Sequence, residues 1–251
     1  MVASVSYDVE DESARPPTLG LVVLQSEETL EDEFHYFLRD RRVVLHHPRI
    51  PSGEAVTRET LGAMEENPGT AICMFPAGAR FDVIGYACTS AASVIGEARV
   101  SKLIAGVRSE AASTNPATAV KAALGALGVQ RVSVLTPYNV AVTQDIVAML
   151  EKDDFKATGV TTFNDEVEAH VARITSQSIL AAAVAAGNNE AAQAVFISCT
   201  NLRCAGIIAE AERRTGKPVL SSNLALLWHM LRIAGLETQG IAESRLLDCC
   251  S

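Results

Sequence analysis

An α/β fold built from two related halves is what this sequence predicts, and two patterns predict it. Short apolar runs rich in β-formers alternate with helical stretches along almost the whole chain, the rhythm of parallel strands covered on both faces by helices. The segments DVIGYACTSAA around Cys88 and AVFISCTNLRC around Cys199 then echo one another: an apolar strand ends in Cys-Thr followed by Ser or Asn, just before a helix. In open parallel sheets ligands collect at the carboxyl ends of the strands, so two such halves facing each other bring both Cys-Thr turns to one central cleft.

Taken in chain order, the strands are expected over 19–24, 42–46, 82–86, 129–135, 156–162, 194–198 and 218–220, each an apolar run of strand length. Between them fall helices over 29–40, 57–67, 90–96, 116–127, 141–152, 176–186, 202–215 and 223–234. The helix at 116 has both punctuation marks, with Asn115 as N-cap before a proline at the first helical position and Gly128 after Leu127 as terminator.

Composition narrows the function. The chain has 251 residues, 48% of them apolar, enough for one large core or two smaller ones. Its 21 basic and 30 acidic side chains leave a net charge of -9, which repels phosphate backbones and excludes nucleic acid as a partner. The longest apolar stretch, 179–186, is far short of the roughly 20 residues that cross a bilayer, so no membrane partner is expected. Residues 1–18, MVASVSYDVEDESARPPT, lack the basic and apolar regions of a secretory signal and read as a flexible, solvated tail. Six cysteines (Cys73, Cys88, Cys199, Cys204, Cys249 and Cys250) are too sparse for the disulfide framework of a small secreted domain, so the expected setting is a reducing cytoplasm. No Cys-x2-Cys pair has a second ligand pair and the five histidines are scattered, so no metal is expected.

The chemistry-bearing candidates are the two Cys-Thr turns. A thiol placed where a strand ends and a helix begins lies near unpaired N–H groups at the positive end of the helix dipole, which brings its pKa down toward neutrality. One buried cysteine alone usually just packs. Two in matching turns, followed by Thr89 and Ser90 in one and by Thr200 and Asn201 in the other, point instead to a pair of acid–base groups with substrate-binding neighbours. The N–H groups and the Thr89, Ser90 and Thr200 hydroxyls suit a carboxylate, or the enediolate that forms when its α-proton leaves. Cys73, Cys204, Cys249 and Cys250 are assigned no chemistry.

From these residues the chain resembles the aspartate/glutamate racemase superfamily, in its maleate isomerase and arylmalonate decarboxylase branch. The likeness runs through LGLVVLQSEETLEDEF, GYACTSAA, TPYN, TTFNDEVE, FISCTNLR and PVLSSNLALLWHML, which occur in the family's order. It implies two Rossmann-like (flavodoxin-like) domains related by pseudo-twofold symmetry, with the active site between them and the final helix returning to the first. Residues 19–113 with 219–251 would form the first domain and 114–218 the second. It also implies a homo-oligomer, dimer or tetramer, working without a cofactor. Carried over by position, Cys88 and Cys199 match the family's catalytic pair, Tyr138 its substrate-facing tyrosine, Asn164 its carboxylate-binding asparagine, and Thr89, Ser90 and Thr200 its anion-holding groups.

Two departures bear on the reaction. Arylmalonate decarboxylases replace the first thiol by glycine, whereas Cys88 is kept here, which favours isomerisation over decarboxylation. Maleate isomerases open with an asparagine that grips a substrate carboxylate, whereas this chain reads Leu24-Gln25-Ser26-Glu27-Glu28-Thr29. Glu27 would repel a dicarboxylate and suits an ammonium group. This variant is similar to the ectoine-utilisation protein A subgroup, which acts in the breakdown of ectoine through amino-acid intermediates. Against that reading, Glu27 and Glu28 also suit a solvated helix start, Tyr138 with Asn139 a turn after Pro137, and Asn164 a cap before Asp165. The leading expectation is a racemase or epimerase of an amino acid or related small carboxylate. The alternatives are maleate-type cis–trans isomerisation by cysteine addition, and a non-catalytic small-ligand-binding protein.

Overall fold

The first strand, β1 (Thr18–Leu24), is buried at every position, because it lies in the middle of a sheet covered on both faces. In this computed structural model, which describes residues 2–66 and 68–249, every strand pairing within the two sheets is parallel.

The first sheet contains β1, β2 (Val44–His46), β3 (Arg49–Ile50), β4 (Val83–Tyr86) and β5 (Ala112–Thr114). Its order is β2-β1-β4-β5, and β3 pairs with the far end of β1 beyond β2. Helices α1 (Leu30–Leu38), α2 (Arg58–Ala63), α3 (Pro68–Cys73), α4 (Thr89–Ile95) and α5 (Glu97–Ala105) are interspersed among these strands in the chain. After α6 (Pro116–Ala126), the second sheet is built from β6 (Arg131–Thr136), β7 (Lys156–Thr162), β8 (Ala194–Ile197) and β9 (Val219–Ser221), in the order β7-β6-β8-β9. Helices α7 (Val140–Glu151), α8 (Glu168–Val171), α9 (Ser176–Gly187), α10 (Ile208–Thr215) and α11 (Ser222–Ile233) complete the chain.

With β3 set aside, each sheet runs second, first, third, fourth in chain order, so the halves share one topology. Cys88 follows the third strand of one sheet and Cys199 the third strand of the other, where the strand order reverses and a crevice opens. Helix α6, after the last strand of the first sheet, packs against α11, after the last strand of the second. Helix α11 also lies on β4 and β5 and bonds back through His229 Nδ1 and Thr114 Oγ1 at 2.8 Å.

Several expectations are corrected. The strand expected at 218–220 is β9, which pairs with β8, so residues 219–221 belong to the second sheet rather than to the first unit. The tail ends one residue early, since Thr18 already pairs in β1. The helix expected over 202–215 begins only at Ile208, because residues 202–207 form turns whose N–H groups go elsewhere. The helix expected over 57–67 ends at Ala63 and tightens into a 3-10 turn over Met64–Glu66. Asn67, at its expected end, and Cys250 lie outside the described residues. The elements β3, α3, α5, β5 and α8 are not among those expected, although α5 is as long as α1 and buries Val100 and Ile104. The punctuation at Asn115 is as expected, its Oδ1 accepting from Thr118 N at 3.0 Å, with Gly128 at φ 66° after the helix.

Candidate active site

Cys88 is the N-cap of α4. Its Sγ accepts a hydrogen bond from Ala91 N at 3.4 Å and lies 3.5 Å from Ser90 Oγ. Those contacts favour the thiolate, as the helix-start argument requires. Burial outweighs them: at 4% exposure the thiol is pushed up to about 12, with the Glu168 and Glu27 carboxylates adding to the rise. The expected fall toward neutrality is therefore reversed by burial.

Cys199 is 3% exposed and lies in a turn rather than at the start of a helix, so no dipole of α10 reaches it. Two donors replace the dipole. Asn201 N points at its Sγ from 3.3 Å, and the Tyr138 hydroxyl bonds to it. Burial again dominates and, with Glu168 and Glu27 nearby, holds the thiol well above its ordinary value. Tyr138 is 2% exposed, and its own ionisation is opposed by burial and then by both Cys199 and Cys88. Tyr138 thus feels the charge of both thiols.

Two carboxylates close the site. Glu27 is buried, and its Oε1 accepts from Thr29 N at 2.9 Å, Thr29 Oγ1 at 3.1 Å and Leu30 N at 3.1 Å, so it caps α1 from inside the protein. It is not a solvated helix start, and burial raises its pKa. Glu168, which sequence reasoning did not select, turns its carboxyl inward from a partly buried position. There burial pushes it up to about 7, helped by the charge of Glu27.

Asn201 ties these groups together. Its Oδ1 accepts from Glu28 N at 2.9 Å, while its Nδ2 donates to Glu168 Oε2 at 2.8 Å and faces Ser26 O at 3.3 Å. Thr200 is 4% exposed; its carbonyl accepts from Thr29 Oγ1 and Asn223 Nδ2, each at 2.8 Å. Thr89 is fully buried but donates to Ser222 Oγ at 2.8 Å, so its hydroxyl proton is committed to α11. Asn164 is not brought in: it sits exposed at φ 57° in the turn after β7.

A second buried carboxylate supports the Cys199 turn from behind. Glu33 of α1 accepts from Cys204 N and Ala205 N through Oε1, and from Asn223 Nδ2 through Oε2 at 2.8 Å. Burial pushes Glu33 up to about 7. Among the described residues no group of three or more His, Cys, Asp and Glu is placed to hold a metal ion, and no helix is long and apolar enough to cross a membrane.

The family profile described as arylmalonate decarboxylase matches residues 68–247, a span that holds both thiols, Tyr138 and Glu168. The chain belongs to the arylmalonate decarboxylase family. Among its relatives, the maleate isomerase of Nocardia farcinica is 29% identical over 239 residues, 91% of this chain and 94% of that protein. The arylmalonate decarboxylase of Bordetella bronchiseptica is 34% identical over 125 residues, 49% of this chain and 51% of that one. The Nocardia farcinica maleate cis–trans isomerase, as a cysteine-to-serine mutant with a covalently bound succinylcysteine intermediate, is similar at a TM-score of 0.86 and 28% identity, covering 94% of this chain and 99% of that one. A double mutant of arylmalonate decarboxylase, glycine to cysteine and cysteine to serine, matches at a TM-score of 0.79 and 26% identity, covering 91% and 95%. The chain therefore has the two-domain Rossmann-like fold of the arylmalonate decarboxylase family, whose members include isomerases that form a covalent intermediate on cysteine.

Proposed function

We propose that this protein is a cofactor-independent isomerase, a racemase or epimerase of an amino acid or related small carboxylate, with Cys88 and Cys199 as its paired acid–base groups. The observation that carries the reading is that two buried thiols stand at matching strand ends of two like sheets, and that the charge of each opposes ionisation of the same buried tyrosine, Tyr138. With the pair holding one proton, one thiolate takes the α-proton: the C–H bond breaks, an S–H bond forms and the electron pair stays on the substrate. The opposing thiol then returns its own proton to the other face, leaving the two sulfurs with exchanged roles. Two thiols serving one carbon in this way would titrate as a pair. Ser90 Oγ stands 3.5 Å from the Cys88 sulfur, and Thr200 directly follows Cys199 in the chain, as groups for the substrate carboxylate. Ectoine breakdown through amino-acid intermediates, in a cytoplasmic homo-oligomer, is the setting this reading fits.

A second reading, cis–trans isomerisation by addition of a thiol to a double bond, is favoured by the succinylcysteine intermediate of the Nocardia farcinica enzyme. Turnover in deuterium oxide separates the two. Stereoinversion places deuterium at the α-carbon, so an active preparation that interconverts enantiomers without solvent label would refute the two-base reading. Interconversion of maleate and fumarate with no exchange in any amino acid would establish the second.

A further inference from the structure

We infer that Glu168 is the specificity-determining carboxylate of this site and that it receives a primary ammonium of the substrate. This rests on the two-thiol reading only for the place of the substrate.

Glu27, the acidic residue that the sequence singles out, is already used. Its Oε1 takes three hydrogen bonds from Thr29 and Leu30 at the start of α1. Its charge reaches the thiols, while its Oε1 serves the start of α1. Glu168 is different. Its carboxylate takes one bond, from Asn201 Nδ2 to Oε2 at 2.8 Å, and among the described residues it forms no ion pair with Lys, Arg or His.

The carboxylate is nevertheless firmly held. The Glu168 backbone N–H donates to Glu54 O at 3.1 Å, Val56 N donates to Glu166 O at 2.9 Å, and Ala55 bridges Val167. Asn201, which holds the side chain, is itself 1% exposed and bonded on both sides of its amide. Cys88, Cys199 and Tyr138 all feel the Glu168 charge.

A carboxylate fixed in this way, lacking a basic partner and joined through Asn201 to the Cys199 turn, is matched by a cation supplied from outside the protein. An ammonium there also lifts the carboxylate's repulsion from the sulfurs, so substrate binding itself favours thiolate. A dianion gains nothing there and meets two like charges. The substrate class is therefore a small amino acid or amine-bearing carboxylate.

The test uses methanethiosulfonates with one reactive group and different charges: aminoethyl (cation), methyl (neutral) and sulfonatoethyl (anion). Each forms a mixed disulfide with the protein sulfur and releases methanesulfinate. Rates at Cys88 and Cys199 are read separately by peptide mass spectrometry at pH 8, each divided by the rate with 2-mercaptoethanol. The wild type should favour the cation over the neutral reagent and disfavour the anion. In Glu168→Gln, which keeps the bond from Asn201, the cation-to-neutral ratio should fall on the order of tenfold, and Glu168→Asp should keep most of it. An unchanged ratio in Glu168→Gln would overturn the inference. So would an equal fall in Glu28→Gln, an exposed carboxylate that controls for net charge. These ratios do not depend on turnover. Retained activity in a single-cysteine variant would defeat the two-thiol reading while leaving the role of Glu168 standing.

Discussion

Each cysteine is governed by a contest between hydrogen bonding and burial, and burial wins at both. Helix placement explains why Cys88 accepts from Ala91 N, yet the thiol stands at about 12 because water has been removed and carboxylates moved in. At Cys199 the Tyr138 hydroxyl is one of the few groups acting in the other direction. Tyr138→Phe should therefore slow iodoacetamide alkylation of Cys199 at fixed pH by on the order of tenfold, with Cys88 much less affected. Equal rates in variant and wild type would show that the phenol does not stabilise the thiolate. Cys88, Ser90, Cys199, Thr200 and Asn201 were legible in the sequence, since hydroxyl and amide residues after an apolar strand leave a strong local imprint, whereas Tyr138 came only from the family resemblance. Glu168 was not: a glutamate in an acidic stretch reads as surface charge, and only its pairing with residues 54–56 and with Asn201 turns it inward. Asn164, expected to bind a carboxylate, is left exposed by its left-handed backbone.

Among the elements, long strands and helices were legible from apolar periodicity, while β3, β5 and α8 are too short to show any. The expected helix after Cys199 starts late because Glu33, on α1, takes the Cys204 and Ala205 N–H groups that would otherwise enter it. This clamp makes stability depend on pH. The Glu33 carboxyl is raised from 4.5 to about 7, so the folded protein keeps a proton that the unfolded chain has already lost. The stability so contributed is full below about 4.5 and is lost as pH rises through about 7. Glu33→Gln does not titrate. Its unfolding free energy relative to wild type should rise between pH 5 and pH 8 by on the order of 1–3 kcal/mol, measured by urea denaturation. A difference that is flat with pH would contradict this account of the clamp. The contact of α9 with α10 gives a second expectation. A Cβ on Gly187 would overlap Thr215 Cγ2 and lie 2.8 Å from its Cβ, so Gly187→Ala should destabilise the fold by about 1–3 kcal/mol in the same assay.

On the scale of the whole molecule, the two sheets are joined through their active-site turns as well as through α6 and α11. Thr29 Oγ1 bonds Thr200 O, Glu28 N bonds Asn201 Oδ1, and Glu33 holds the turn after Cys199. Unfolding followed by far-ultraviolet circular dichroism and by the fluorescence of Trp228 on α11 should therefore show one coincident transition, and separated midpoints would contradict that coupling. The same joining makes the site a property of both halves, because neither sheet alone supplies two thiols. The central claim is that one substrate carbon is served by a sulfur from each half. The direct measurement is the loss of the α-proton signal, by proton NMR in deuterium oxide, across a panel of amino acids including 2,4-diaminobutyrate and its acetylated forms, for wild type, Cys88→Ala and Cys199→Ala. Wild type should introduce deuterium while forming the opposite configuration, and each variant, still folded, should fall below about a tenth of wild-type turnover. Either variant retaining more than that would contradict the central claim.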